Sequence, residues 1–153
     1  MSSIKGVVDM LSVFTRTRDI ISPVSGRITP FEDVPYYRAA KERGLMGVAV
    51  IPSETGIFAP IDGVVGTKAG SSPNAEIFVN PLRGTISLHG GFTSCIKKGS
   101  RVRAGDLIAT IDLDFLQTSG LFTYVLLLMP KTAAKVVDNE WVKGGSSIVM
   151  KTR

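Results

Sequence analysis

Apolar residues in this chain fall in short, strand-length runs: Val48–Ile51, Ile57–Ala59, Val64–Val65, Ile77–Val79, Thr85–Leu88, Leu107–Ile111, Tyr124–Met129 and Ile148–Met150. Glycines and prolines, 16 and 8 of them, punctuate these runs. Short β-branched runs between such breakers read as strands. Many of them without a strand–helix–strand rhythm predict an all-β sandwich or barrel. The first twenty residues follow another period. Ile4, Val7, Val8, Leu11 and Phe14 recur at helical spacing, Ser2 or Ser3 can cap, and Lys5, Asp9 and Arg16 lie off the stripe. Residues 1–19 are therefore expected to be an amphipathic N-terminal helix or tail. It would pack on the sandwich or a neighbouring chain, or touch a membrane surface weakly through residues 1–16. Residues 20–153 are expected to form one domain. Glu32-Asp33 before Pro35 reads as a turn, Tyr36–Arg43 as a short helix or irregular loop, and Lys131–Asn139 can take a second short helix.

Four segments repeat. Ser22-Pro23-Val24-Ser25-Gly26-Arg27-Ile28 matches Ala59-Pro60-Ile61-Asp62-Gly63-Val64-Val65, and Val102-Arg103-Ala104-Gly105-Asp106-Leu107-Ile108 matches Val142-Lys143-Gly144-Gly145-Ser146-Ser147-Ile148. In the first pair proline sets the entry to a strand and glycine permits a bend. In the second, glycine suits a tight turn before an apolar strand. Two such pairs predict a duplicated half-domain whose copies interlock to bury a common core.

Composition narrows the classes. With 153 residues, 44% hydrophobic and 20% charged, the chain is globular and one domain long. A lone cysteine, Cys95, forms no internal disulfide, and with a lone histidine, His89, it makes no Cys/His zinc site. No apolar run is long enough for a membrane helix and no export signal is visible, so a cytoplasmic location is expected, with at most a peripheral place at the membrane's inner face. A net charge of +5 favours anionic partners. The cations are scattered, however, and not interleaved with aromatics, so no nucleic acid is expected; Lys97–Arg103 is the one compact cluster.

Two side chains invite chemistry. Strand alternation places Ser87 and His89 on one face of Thr85–Leu88 and its extension, with Ile86 and Leu88 on the other. Cys95, six residues on, is a conceivable nucleophile with His89 as base, but nothing nearby supplies an orienting third group. A lone cysteine is more often a small packing residue.

The order of motifs resembles a known family. Ile21-Ser22-Pro23-Val24-Ser25-Gly26-Arg27-Ile28, Glu32-Asp33-Val34-Pro35, Gly47-Val48-Ala49-Val50-Ile51-Pro52, Ala59-Pro60-Ile61-Asp62-Gly63-Val64-Val65-Gly66 and Gly99–Ile108 resemble, in that order, the glucose-type enzyme IIA of the sugar phosphotransferase system. The resemblance runs from about Ile20 to Thr152. It implies an antiparallel β-sandwich built from a duplicated hybrid motif, with short helices. It also implies a phosphoryl carrier that receives its group from the histidine carrier protein and passes it to the B domain of a sugar permease. Ile86-Ser87-Leu88-His89-Gly90-Gly91 occupies the place of the family's active segment, so His89 resembles the phosphoacceptor.

Departures accompany the resemblance. The family's auxiliary histidine falls at Asn74, whose amide donates a hydrogen bond to a phosphoryl oxygen but neither carries charge nor relays a proton. Thr93 stands where an acidic residue follows the phosphoacceptor, and the stretch from His89 to Gly99 is shorter. Lys97 and Lys98 are candidates for compensating positive charge. The family's metal site between two histidines is expected to be lost, so neither metal nor cofactor is expected. The alternative to a carrier is a catalytically impaired regulatory or protein-docking module on the same sandwich.

Overall fold

Burial along β10 (Leu107–Ile111) and β14 (Ile148–Thr152) follows the apolar pattern, with Ile108, Ile111, Val149 and Met150 almost wholly removed from solvent. A computed structural model describes residues 18–68, 76–80, 86–89, 92–118 and 124–152. The other strands are β1 (Asp19–Ile21), β2 (Gly26–Thr29), β3 (Leu45–Pro52), β4 (Gly56–Phe58), β5 (Gly63–Lys68), β6 (Glu76–Asn80) and β7 (Ile86–His89). They continue with β8 (Phe92–Cys95), β9 (Arg101–Val102), β11 (Val125–Pro130), β12 (Ala134–Val136) and β13 (Trp141–Val142). Helices are short: a 3-10 turn at Phe31–Asp33, α1 (Tyr37–Glu42) and α2 (Leu113–Thr118).

Strands β13-β2-β3-β11-β7-β6-β5-β9 form one sheet, and β1-β14-β12 and β4-β10-β8 form two smaller ones. Every pairing is antiparallel. The large sheet has a two-fold pattern about its β11/β7 centre: β13 corresponds to β9, β2 to β5 and β3 to β6. The small sheets correspond strand for strand. The β4–β10 copy is thus inserted between β3 and β11 of the other, which interlocks the two halves.

Hydrogen bonds at the repeated segments match one for one. Gly145 N–H donates to the Ser22 carbonyl and Gly105 N–H to the Ala59 carbonyl, both at 2.9 Å. Ile21 N–H donates to Pro60 O while Phe58 N–H donates to Pro23 O. The Gly144 N–H is capped by Ser25 Oγ and the Ala104 N–H by Asp62 Oδ1. Gly105 and Gly145 adopt φ of 91° and 78°, the left-handed region that a side chain resists, which is why both repeats carry glycine there.

The main core lies between the sheets, around Val50, Ile57, Leu88, Ile108, Leu127 and Met150. Burying each such aliphatic side chain stabilises the fold by roughly 1.5–3 kcal/mol. A second cluster lies on the outer face of the large sheet, where Val34 and Ala40 pack on Ala49, Leu126 and Leu128. Strand β11 is consequently buried on both faces.

The turn before Pro35 and the helix after it are as expected, since the residue preceding proline is driven to extended geometry, as Val34 is. A helix over Lys131–Asn139 does not form. Pro130 ends β11, a turn follows, and Ala134–Val136 pairs with β14, whose open edge needs a partner. The Asn139 amide then bonds the Val137 and Ile148 carbonyls and holds the segment extended. Strand β8 and helix α2 went unread in the sequence. Helix α2 had a local signal, Asp112, whose carboxylate accepts from Phe115 N–H at 3.0 Å as an N-cap. The amphipathic segment of the first seventeen residues lies outside the described residues.

Candidate functional site

His89 is the last residue of β7 and stands opposite Leu126 of β11 on one side and Glu76 of β6 on the other. Directly paired positions share a face of a sheet. The row through His89 therefore runs Thr29, Ala49, Leu126, His89, Glu76, Lys68. The neighbouring row is Gly47, Leu128, Ser87, Phe78, Gly66. Leu88, between the two rows, lies in the main core, so His89 takes a position on the outer face. The alternation expected from sequence holds, but the face beside His89 on β11 and β3 is apolar.

Local structure explains that surface. At Gly47 an added Cβ would lie 2.7 Å from Leu128 Cδ2 and 3.1 Å from Phe31 Cε1, so the Phe31 ring rests on the glycine. The Phe31 ring meets Tyr37 edge-on at 5.4 Å between centroids. Arg43 Nη1 donates to the Tyr36 hydroxyl at 2.9 Å. The 3-10 turn and α1 are thereby fastened over β3 and β11, about two strand spacings or 10 Å from β7. A groove of about 570 Å³ continues along this segment, lined by Phe31, Tyr37, Lys41, Met46, Lys131 and Val136 among others. Sequence reading missed Gly47, Phe31 and Leu126 as parts of the site. A glycine inside an apolar strand is a signal of close approach and would have found the first.

The other candidates separate from His89. Asn74 lies outside the described residues. Thr93 sits on β8 in a small sheet, exposed, with its hydroxyl on the Thr110 carbonyl at 3.2 Å. Lys97 and Lys98 precede β9 at the far edge, three strand spacings or about 14 Å across the sheet from β7. They do not flank His89. Cys95 pairs with Ala109 in the same small sheet as Thr93. Partial burial pushes its thiol pKa up, which disfavours the thiolate that a cysteine nucleophile needs. Cys95 and His89 lie on strands of different sheets.

Residues 18–134 match the family described as phosphoenolpyruvate-dependent sugar phosphotransferase system, EIIA 1. The glucose-specific EIIA component of Haemophilus influenzae is 32% identical over 144 residues, covering 86% of this chain and 87% of that one. That of Borreliella burgdorferi is 33% identical over 116 residues, and the match covers 67% of this chain and 59% of that relative. A mannose-specific EIIBCA component of Corynebacterium glutamicum is 32% identical over 112 residues, 67% of this chain and 16% of its own length. Among solved structures, the glucose permease IIA of Mycoplasma capricolum superposes with a TM-score of 0.72 at 21% identity, covering 90% of this chain and 97% of that one. That likeness carries the all-β fold. The chain belongs to the EIIA 1 family of the phosphoenolpyruvate-dependent sugar phosphotransferase system.

Proposed function

We propose that this chain is a phosphoryl carrier of a sugar phosphotransferase system and that His89 bears the group. The observation that supports it is the place of the only histidine in the sequence. It ends a central strand, opposite Leu126 of the buried cluster that fastens the 3-10 turn and α1 to the same sheet face. The histidine carrier protein is the donor in this reading, and the acceptor is the B domain of a sugar permease. A neutral imidazole nitrogen of His89 attacks phosphorus in line. The new nitrogen–phosphorus bond forms as the donor's nitrogen–phosphorus bond breaks, and the donor imidazole leaves with the bonding pair. Leu126, buried beside His89 on β11, gives the phosphohistidine an apolar flank on that side. Asn74 is assigned the auxiliary place, donating a hydrogen bond to a phosphoryl oxygen.

Relatives of this chain are named EIIA components, which favours the carrier over the docking-module alternative. The EIIBCA relative carries the matched region within one chain with B and C components, in keeping with a permease domain as the acceptor. No helix among the described residues is long and apolar enough to cross a membrane. The boundary expected after residue 19 moves forward, because Asp19 pairs with Lys151 and Arg18 N–H donates to Thr152 Oγ1. The segment ahead of Arg18 is assigned weak peripheral membrane contact as its role. Incubation with phosphoenolpyruvate, the first enzyme of the system and the histidine carrier tests the function. The expected result is one added phosphoryl mass, labile in acid and absent in His89→Ala.

A further inference from the structure

Trp141 is the only tryptophan of the chain and, at 63%, the most exposed of the large apolar side chains among the described residues. It pairs with Arg27, and Arg27 pairs in turn with Ile51, which is 39% exposed. Directly paired positions share a sheet face, so Trp141, Arg27 and Ile51 form one row across β13, β2 and β3, about 10 Å long. Lys143, also exposed, follows Trp141 by two residues. Neither the indole N–H of Trp141 nor the guanidinium of Arg27 has a protein partner among the described residues. The fold does not demand this row. In the other half, the equivalent positions on β9, β5 and β6 hold Arg101, Val64 and Asn80, so the same strand edge is built there without an aromatic ring.

Nor does the row belong to the His89 site. Strand β13 lies four strand spacings, about 19 Å, from β7. The 3-10 turn and α1, packed on Ala49, Leu126 and Leu128, stand between them. Size and chemistry together say what covers the row. Three side chains in one short line fall well short of the roughly 800 Å² that each partner gives to a stable protein interface. A bilayer surface needs far less, because single side chains enter it one by one. Tryptophan favours the headgroup level, where its ring is sheltered and its N–H finds phosphate or ester oxygens. Arginine and lysine beside it meet the phosphates of anionic lipid while their stems stay among apolar groups. The row itself carries no carboxylate, and Glu140, the residue before Trp141, alternates away from it. The net charge of +5 draws the whole chain to such a surface.

We infer that Trp141, Arg27 and Ile51 form a contact with a bilayer that contains anionic phospholipid. Trp141 and Ile51 enter the headgroup layer, and Arg27 and Lys143 bind lipid phosphate. This contact lies on the folded domain and is separate from the one assigned to the segment ahead of Arg18. One weak anchor gives marginal, reversible binding, and two acting together hold a protein at the surface.

Trp141 reports on its own contact, as no other tryptophan contributes to the emission. The test titrates the full chain with vesicles of equal parts phosphatidylcholine and phosphatidylglycerol and follows fluorescence and co-sedimentation. The wild-type emission should shift to the blue and be quenched by lipid brominated on the acyl chain close to the headgroup. Arg27→Glu should weaken co-sedimentation about fivefold or more, and rising salt should weaken that of the wild type. Lys135→Glu, on β12 of a small sheet, makes the same change in net charge and should cost less than about twofold. Leu11→Glu, in the N-terminal segment, should lower the affinity while leaving the blue shift of the bound chain in place. Vesicles that bind the chain without shifting or quenching Trp141 would overturn the inference and leave the contact to the segment ahead of Arg18. Equal losses in Arg27→Glu and Lys135→Glu, or no binding at all, would overturn it too. So would a blue shift that needs no lipid and grows with protein concentration, which gives the row to a second copy of the chain.

Discussion

Leu126 lies directly across from His89, and that pairing sets the histidine position beside a buried leucine on one side, with Glu76 opposite it on the other. Leu126 is 6% exposed and packs against the segment that carries Val34 and Ala40. Its replacement by alanine should cost about 2–5 kcal/mol of stability. Leu127→Ala, one residue on and facing the main core, should cost a similar amount. Their effects on phosphoryl transfer should part: Leu126→Ala slows transfer at temperatures where both variants are folded, and Leu127→Ala does not. Denaturant melts paired with single-turnover phosphorylation check this.

Gly47 offers a more local probe. A methyl group there meets the Leu127 carbonyl at 3.0 Å as well as Leu128 and Phe31, so something must move. Gly47→Ala should destabilise by about 1–3 kcal/mol and displace the Phe31 segment from the face of His89. Adding Phe31→Ala removes one of the clashes. The double variant should be less destabilised than the sum of the two singles, a coupling that thermal melts measure.

Equivalent glycines should behave equivalently. Gly105→Ala and Gly145→Ala each force an L residue into the left-handed region and should each cost about 1–2 kcal/mol. Ser25→Ala strips the Gly144 N–H of its buried acceptor and should cost about 1–3 kcal/mol. Equilibrium urea unfolding gives all three values. A large loss at one glycine and none at the other would contradict the two-fold architecture.

Cys95 should be a sluggish thiol. Its pKa is raised by burial, so the thiolate fraction at neutral pH is below that of an ordinary cysteine. Its alkylation by iodoacetamide should rise with pH along a curve displaced to higher pH than that of a free peptide thiol. Cys95→Ser should leave phosphoryl transfer unchanged. Measured alkylation rates across pH 7 to 10, as a rough span around the ordinary thiol value, check the first point.

Much of the architecture was legible because duplication writes the same turn chemistry twice. Gly105 and Gly145 need the same backbone conformation, and Ser25 and Asp62 cap equivalent amides, those of Gly144 and Ala104, so the repeats survive at the level of residue type. Apolar runs located the central strands for the same reason that β11 is buried on both faces. Short edge elements were harder. Strands β12 and β13 are extended because β14 and β2 present open edges, a cause that lies far away in sequence. Local propensity at Lys131–Asn139 misled for that reason. Of the proposed site, the strand position of His89 was legible, since its neighbour Leu88 lies in the core as alternation predicts. The apolar row beside it depends on a register with β11 that no local pattern specifies.

Intact-mass spectrometry of the purified chain after incubation with phosphoenolpyruvate, the first enzyme and the histidine carrier addresses the central claim most directly. One phosphoryl group should be gained, lost again in acid, and absent from His89→Ala that melts as the parent does. A folded wild type that gains no mass, beside a control EIIA that does, or a gain that persists in His89→Ala, would contradict the account.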